Sequence, residues 1–313
     1  MKLMKKIPGG TLLVPMMISA LIHTFFPNLF KIGGVTESFF GPSSLGFILG
    51  ATIFISGCTV KLSSIKSVVK IYGLLILVRT AVTALFAILF FKFFGMQGVL
   101  GISLIGFICT LTSLNPSLFL AIMEDCGDEV DMSAFGFISL FATPAIAMLI
   151  FGLSQPTSVD YMSIVSLVIP LVLGVAIGNI DKDLGKFIST GMPFMIFALG
   201  WSVGNSIDLF EAVKAGFSGV IMAVVYYILI FLPMLFVERK VLKRDGVSAG
   251  GLSTIAGLSA SIPMIMAAND PSLTVYAPRA AAIVTFGVII SSFVSPYLCN
   301  KLYTGEKGKE ENK

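Results

Sequence analysis

The sequence predicts an all-α membrane protein of about ten transmembrane helices, arranged as two inverted five-helix repeats. Three observations support this fold class. The 313-residue chain is 56% hydrophobic and only 12% charged, whereas soluble domains usually carry about 25% charged residues. Its apolar residues form long runs instead of the short alternating segments of a membrane β-barrel. Two proline-containing stretches also recur at a fixed spacing in the two halves of the chain.

A membrane-spanning helix needs about 20 apolar residues, and this length divides the chain into ten segments. Gly9, Gly10 and the long apolar run that follows favour a retained first helix over a cleaved signal peptide. The approximate limits of the segments are 9–26, 43–60, 68–94, 98–124, 131–153, 159–179, 190–207, 211–237, 248–268 and 277–302.

The first five segments differ in the residues that interrupt or flank them. The first contains Pro15, the second ends shortly after Gly57, and the third carries Arg79 deep inside its apolar run. The fourth is interrupted by the stretch 111–116 (LTSLNP). The fifth follows the acidic run 124–131, which predicts a solvated loop in which Asp131 caps the fifth helix.

The second five segments repeat several of these features. The sixth contains Pro170, and the seventh ends in the polar stretch 204–209 (GNSIDL). The ninth is interrupted by 257–263 (GLSASIP). A charged tail over 305–313 follows and is predicted to be disordered.

Three pairs of equivalent positions relate the two halves. The pairs are Gly57 and Gly204 (204 − 57 = 147), Pro116 and Pro263 (263 − 116 = 147), and Pro15 and Pro170 (170 − 15 = 155). Because each half has five spans, the second half begins on the opposite side of the membrane, and the repeats are inverted. The predicted division is 1–153 for the first repeat, 154–304 for the second and 305–313 for the tail.

The basic residues predict the orientation in the membrane. Sixteen of the 21 Lys and Arg residues lie near segment ends on the side of the N-terminus, whereas Lys31, Lys92, Lys214 and Arg279 lie on the other side. Since Lys and Arg concentrate in cytoplasmic loops, both termini are predicted to be cytoplasmic, in a bacterial inner membrane. The net charge of +4 gives no indication of a nucleic-acid partner. The sequence leaves the oligomeric state open.

The two interrupted segments predict a shared site for a small anionic substrate. Proline removes a backbone hydrogen bond and frees a carbonyl, and the N-terminal end of a half-helix attracts anions through its free N–H groups and dipole. A carboxylate is the expected ligand. The alternative is a simple proline kink inside one continuous helix. The candidate substrate contacts are Thr112, Ser113, Asn115, Pro116, Ser117, Ser259, Ser261, Pro263 and Met264.

Five further residues are candidates for ion coupling or charge balance. Arg79 could neutralise the substrate or bond to carbonyls of a neighbouring helix. His23 could relay protons or form a hydrogen bond at the membrane interface. Asn205, Ser206 and Asp208 together could hold a cation or a proton, although Asp208 could also be a polar anchor at the helix end.

The sequence lacks the HExxH signature of metalloproteases and the GxxxxGK[ST] signature of nucleotide-driven pumps. Its four cysteines are widely spaced without a CxxC motif. We therefore expect no catalytic residues, no metal site and no cofactor. A secondary transporter driven by an H⁺ or Na⁺ gradient is the function that remains, with a membrane receptor or scaffold as the alternative.

Four stretches of the sequence resemble the bacterial 2-keto-3-deoxygluconate permease family. They are 6–10 (KIPGG), 178–181 (GNID), 205–209 (NSIDL) and 256–263 (AGLSASIP), and the likeness covers nearly the whole chain. It implies an architecture similar to the bile-acid and sodium symporter group, in which two broken helices cross in a core domain packed against a panel domain. It also implies import of a sugar acid with protons by alternating access.

The chain departs from the family pattern at two positions. Family members carry acidic residues where this chain has Thr112 and Phe141, whereas Asn115 and Pro144 match the family. Neutral oxygens at the interrupted segments suit Na⁺ as well as substrate hydroxyls. The sequence therefore leaves two symport mechanisms open, sugar acid with H⁺ and a monocarboxylate with Na⁺.

Overall fold

The computed structural model describes residues 10–41, 44–60, 68–155, 161–205 and 209–303. Within these ranges the regular elements are helical, apart from an isolated antiparallel bridge between Val99 and Ile102. The predicted site residues Ser206 and Asp208 and the predicted tail 305–313 lie outside the described residues.

The described helices are numbered in chain order. They are α1 (Gly10–Phe25), α2 (Gly34–Phe40), α3 (Leu45–Cys58), α4 (Val69–Gly73 and Leu74–Phe94), α5 (Leu104–Leu111), α6 (Pro116–Cys126), α7 (Glu129–Ser133), α8 (Phe135–Phe141), α9 (Pro144–Ser154), α10 (Tyr161–Ile180), α11 (Lys182–Ser189), α12 (Met192–Gly204), α13 (Leu209–Tyr226, Tyr227–Phe231, Leu232–Val237 and Glu238–Leu242), α14 (Val247–Leu252), α15 (Ile262–Asn269) and α16 (Ala277–Leu302). Helix α4 opens with a π-helical turn, and α13 contains two.

Three helices are long and apolar enough to cross a membrane: Val69–Phe94, Ala215–Leu242 and Ala277–Leu302. Two bent pairs raise this number to five if each pair counts as one span. The pairs are Val130–Phe141 with α9, bent by 52°, and Val247–Ala260 with α15, bent by 49°. The protein is thus an all-helical membrane protein in its described ranges.

Both predicted interruptions are present. Helix α5 ends at Leu111 and α6 begins at Pro116, while α14 ends at Leu252 and α15 begins at Ile262 after a 3₁₀ turn. Proline occupies the first turn of both restarting helices, where its missing N–H costs nothing because that group has no intrahelical partner.

The fifth segment is not the continuous helix that the sequence predicted. Helix α8 ends at Phe141, and α9 restarts at Pro144 in a new direction. The reason is the same as in the other interruptions, because Pro144 begins the second helix and cannot continue the hydrogen bonds of the first.

The two short helices α5 and α14 lie at the centre of the molecule. Every residue of both helices is buried, and α16 packs against both of them. Elsewhere α1 packs against α12 and α3 against α10, while α13 packs against α16 and α4 against α9. Large apolar side chains such as Phe47, Phe217 and Phe293 are exposed, as expected for a surface that faces lipid.

Candidate functional site

The two interrupted segments meet through side-chain hydrogen bonds, and we call residues 111–116 and 252–263 together the crossing. The Ser113 hydroxyl donates to Ser259 Oγ at 2.7 Å and accepts from the Ala256 N–H at 2.8 Å. Thr254 Oγ1 accepts from the Asn115 N–H and donates to the Asn115 carbonyl, both at 3.3 Å. Two stretches that lie more than a hundred residues apart in sequence are therefore joined.

The predicted hydroxyls of the crossing have partners within the protein. Besides the bond between Ser113 and Ser259, Thr112 donates to the Ile108 carbonyl at 2.8 Å and Ser261 donates to the Leu258 carbonyl at 2.6 Å. All four residues are buried. Because buried polar groups are costly without partners, these hydroxyls stabilise the interruptions themselves.

The restarting helices present the remaining predicted contacts. Asn115 is the N-cap of α6, and its side-chain oxygen accepts from the Leu118 N–H at 3.1 Å. Asn115, Pro116 and Met264 are partly exposed, whereas Pro263 is buried. The backbone of Ser117 lies in the first turn of α6, and its side chain lies outside the described atoms. The predicted contacts that reach the surface are thus grouped around the first turns of α6 and α15.

Arg79 bonds to the crossing and is 4% exposed. Its Nη1 donates to the Leu252 carbonyl at 2.6 Å. Its Nη2 donates to the Leu111 carbonyl at 2.9 Å and to the Ser113 carbonyl. Of the two roles that the sequence left open for Arg79, the structure records bonds to carbonyls of neighbouring helices.

Sequence reasoning missed Thr254, which lies in the crossing, and Tyr226, which bonds to it. The Tyr226 hydroxyl lies 3.3 Å from the carbonyls of Ser113 and Thr254, to which it donates, and 3.5 Å from Arg79 Nη1. Tyr226 follows Arg79 by 147 residues, the spacing that relates Pro116 to Pro263. The repeat spacing was therefore the signal that could have identified Tyr226.

The structure places the candidates His23 and Asn205 in other surroundings. His23 is partly buried in the last turn of α1. Asn205 follows α12 and bonds to residues of the first two described helices: its side-chain nitrogen donates to the Phe40 carbonyl, and its oxygen accepts from Ser19 Oγ at 2.8 Å. These bonds tie Asn205 to α1 and α2 and not to the crossing.

A second polar cluster lies at the acidic run between α6 and α8. Asp128 is the N-cap of α7, and the predicted cap Asp131 is its partner in a capping box, with a carboxylate that accepts from the Asp128 N–H at 3.0 Å. Asp131 is 2% exposed; its carboxylate accepts from Arg244 Nη2 at 2.7 Å and from the Tyr72 hydroxyl at 2.7 Å. The prediction of a simply solvated loop was therefore wrong, because the ion pair with Arg244 buries one of its carboxylates.

Hydrogen bonding and charge determine the pKa of Asp128, an exposed residue of this cluster. Partial burial alone would raise the pKa of Asp128, but the backbone N–H of Asp131 and the Arg244 guanidinium lower it below its ordinary value. The neighbouring Glu238 is fully buried and accepts from the N–H groups of Ser248 and Ala249 at 3.2 and 2.6 Å. This carboxylate therefore binds the first turn of α14.

Comparison with known proteins identifies the family. A model of the family described as 2-keto-3-deoxygluconate permease matches residues 1–308. The chain belongs to this 2-keto-3-deoxygluconate permease family. The resemblance found in the sequence motifs is thereby confirmed, and the chain is a transport protein of the membrane and not an enzyme.

Individual relatives in the permease family align over most of both chains. A 2-keto-3-deoxygluconate permease of Xanthomonas oryzae pv. oryzae (strain MAFF 311018) is 31% identical over 301 residues, which cover 94% of each chain. A 2-keto-3-deoxygluconate permease of Escherichia coli O157:H7 is 29% identical over 308 residues, covering 95% of this chain and 92% of its own. One of Enterobacter sp. (strain 638) is 28% identical over 307 residues.

Proposed function

We propose that this permease imports 2-keto-3-deoxygluconate or a closely related sugar acid by secondary active transport. The relatives that share its full length carry the name of this substrate. The observation that supports an anion site is the crossing, where hydrogen bonds join the two interrupted segments and Asn115, the N-cap of α6, is partly exposed. Helix N-termini favour negative charge, and a sugar acid has a carboxylate for them and hydroxyls for the neighbouring polar groups.

Close glycine contacts support the inverted repeat in this proposal. A Cβ atom at Gly57 would lie 2.4 Å from the Leu171 carbonyl oxygen, and one at Gly204 would lie 2.2 Å from the Met16 carbonyl oxygen. The two glycines are related by the spacing of 147, and Leu171 follows Met16 by 155 residues (171 − 16). That second spacing also relates the prolines of the first and sixth segments. Equivalent glycines thus meet equivalent backbone positions.

The pairing of helices supports a core and a panel. Helices α1 and α12 pack together, as do their repeat equivalents α10 and α3, and these four would form the panel. The pairs α4 with α9 and α13 with α16 are equivalent in the same way and would form the core with the interrupted helices. We propose that the core moves against the panel to expose the crossing to each side in turn.

The remaining parts of the proposal are the driving ion and the location. The family resemblance implies H⁺, with Na⁺ and another monocarboxylate as the second candidate. We place the protein in the inner membrane with both termini in the cytoplasm, because the basic residues lie mainly on that side.

Ligand binding and uptake test this function. Purified protein should unfold at a higher temperature with 2-keto-3-deoxygluconate than with neutral sugars, because a ligand that binds only the folded state stabilises it. Proteoliposomes should accumulate the labelled acid under an imposed gradient. Asn115→Leu should abolish accumulation, whereas Asn28→Leu in the exposed turn after α1 should leave it unchanged.

Two outcomes would contradict the proposal. Undiminished uptake by Asn115→Leu, with normal folding, would show that the crossing is not the substrate site. Binding of the acid without accumulation under any gradient would favour a membrane receptor.

A further inference from the structure

Two of the carbonyls that accept from Arg79 share one structural position. Leu111 is the last residue of α5 and Leu252 is the last residue of α14, and Arg79 donates to the carbonyls of both. The two helices come from different halves of the chain. One guanidinium group, carried by α4, therefore binds the C-terminal ends of both half-helices.

The C-terminal end of a helix is a site for positive charge. Its last carbonyls have no intrahelical partner, and the helix dipole places about half a negative elementary charge there. In transporters with discontinuous helices such ends, with unwound carbonyls, coordinate the coupling Na⁺ or H⁺. In this protein a covalently attached cation already fills that position at the crossing.

The surroundings of Arg79 are otherwise neutral. In the described part of the chain the ion pairs recorded for arginine involve Arg244. The bonded neighbours of Arg79 are three carbonyls and the Tyr226 hydroxyl, with the Tyr226 ring centroid 5.7 Å from Cζ. Two helix ends of about half a charge each roughly balance one guanidinium. Arg79 therefore does not require the substrate carboxylate as its counter-ion.

The second repeat supplies a neutral group at the equivalent position. Tyr226, at the repeat spacing from Arg79, directs its hydroxyl to the carbonyls of Ser113 and Thr254. A donor from each repeat thus bonds to the unwound carbonyls, but only the donor of the first repeat carries a charge. This difference between the repeats makes Arg79 a single fixed charge at the crossing.

We propose that Arg79 takes the place of a coupling cation at the C-terminal ends of α5 and α14, so that the permease binds and carries its sugar acid without Na⁺. The proposal rests on the transport function proposed above. It assigns Arg79 as a positioning residue, because it bonds to the backbone of the crossing.

The first test needs no substrate. Full-length protein is purified in detergent, and its unfolding temperature is measured in NaCl, KCl and choline chloride at equal ionic strength. We expect the three temperatures to agree within about 1 °C, because a ligand that binds only the folded protein would raise its stability. A rise specific to Na⁺ in the ligand-free wild type would overturn the proposal.

The second test separates charge from hydrogen bonding. Arg79→Ala should weaken binding of 2-keto-3-deoxygluconate by at least about tenfold, within the usual range of coupling between two sites. Millimolar guanidinium should restore binding, whereas urea, its neutral counterpart, should not. Arg279→Ala is the matched control, since Arg279 is exposed and bonds to Ser218 at 3.4 Å. Equal rescue by urea and guanidinium would contradict the role of the charge.

Two further results keep the proposal testable if Arg79→Ala does not fold. Arg79→Lys keeps the charge and should remain independent of Na⁺ in binding, and a Na⁺ requirement in that variant or in wild-type uptake would overturn the proposal. If no sugar acid binds in any salt, the proposed transport function fails, while the salt series on ligand-free protein still decides the role of Arg79.

Discussion

The hydrogen bonds of Ser113 and Ser259 make unequal contributions to the crossing, and alanine substitution can measure the difference. Ser113 Oγ accepts from the Ala256 N–H and donates to Ser259 Oγ. Ser113→Ala removes both bonds and strands the buried Ala256 N–H, which is fixed in the backbone. Ser259→Ala removes only the bond between the two serines, and the Ser113 hydroxyl that it leaves can rotate to another acceptor. In both variants the Ser113 carbonyl keeps its bonds to Arg79 and Tyr226, since those involve the backbone.

The structure sets the size of the expected effects. A hydrogen bond between side chains of membrane helices contributes about 0.6 kcal/mol, and an unsatisfied buried donor costs about 1–3 kcal/mol. We therefore expect Ser113→Ala to lower the free energy of unfolding by about 2–3 kcal/mol. Ser259→Ala should lower it by only about 0.6 kcal/mol.

The measurement is reversible unfolding by SDS in mixed micelles, followed by circular dichroism. Ser292→Ala is the control, because Ser292 donates only to the Val288 carbonyl of its own helix at 2.7 Å. An equal loss of stability in the variants of Ser113 and Ser259, or no loss in Ser113→Ala, would refute the assigned hydrogen bonds.

Three further predictions concern other contacts. Gly204→Ala should destabilise the protein by about 1–3 kcal/mol through overpacking, whereas Gly46→Ala, with open space at its Cβ position, should not; equal thermal unfolding of the two variants would contradict this. Arg244→Met should cost about 3–5 kcal/mol because it leaves the buried Asp131 carboxylate unpaired, and adding Asp131→Asn should recover part of the loss. Because the pKa of Asp128 is lowered in the folded protein, its carboxylate stabilises the fold at pH values above the unfolded pKa of about 3.9. This stability is lost as the pH falls through the lower pKa of the folded protein. Asp128→Asn should therefore flatten the pH dependence of unfolding near that value, and an unchanged acid profile would argue against the contact with Arg244.

The interruptions illustrate how far local sequence chemistry extends. Pro116 and Pro263 lie in the first turns of restarting helices, and the polar residues beside them marked both interruptions in the sequence. Proline alone does not predict an interruption, because α1, α10 and α16 continue through Pro15, Pro170 and Pro296. Pro144 also begins a new helix, and a continuous fifth helix was wrongly predicted there because the apolar run has no comparable polar stretch.

The polar residues of the crossing show where sequence reasoning stops. The Ser and Thr residues in 111–116 and 257–263 indicated a polar centre, but nothing in the sequence revealed that Ser113 forms a hydrogen bond with Ser259. Thr254 lay just outside the motif and was missed. Tyr226 was missed because nothing in the neighbouring sequence distinguishes it from other aromatic residues in apolar segments.

The sequence by itself determined that this is a helical membrane protein, which family it resembles, and which two polar, proline-containing stretches interrupt its helices. These properties depend on composition and on backbone chemistry within a few residues. Only the tertiary structure decided the partners of Arg79 and Arg244. A charged group bonds to whichever carbonyls or carboxylates the packed helices bring within about 3 Å, and those come from residues distant in the chain.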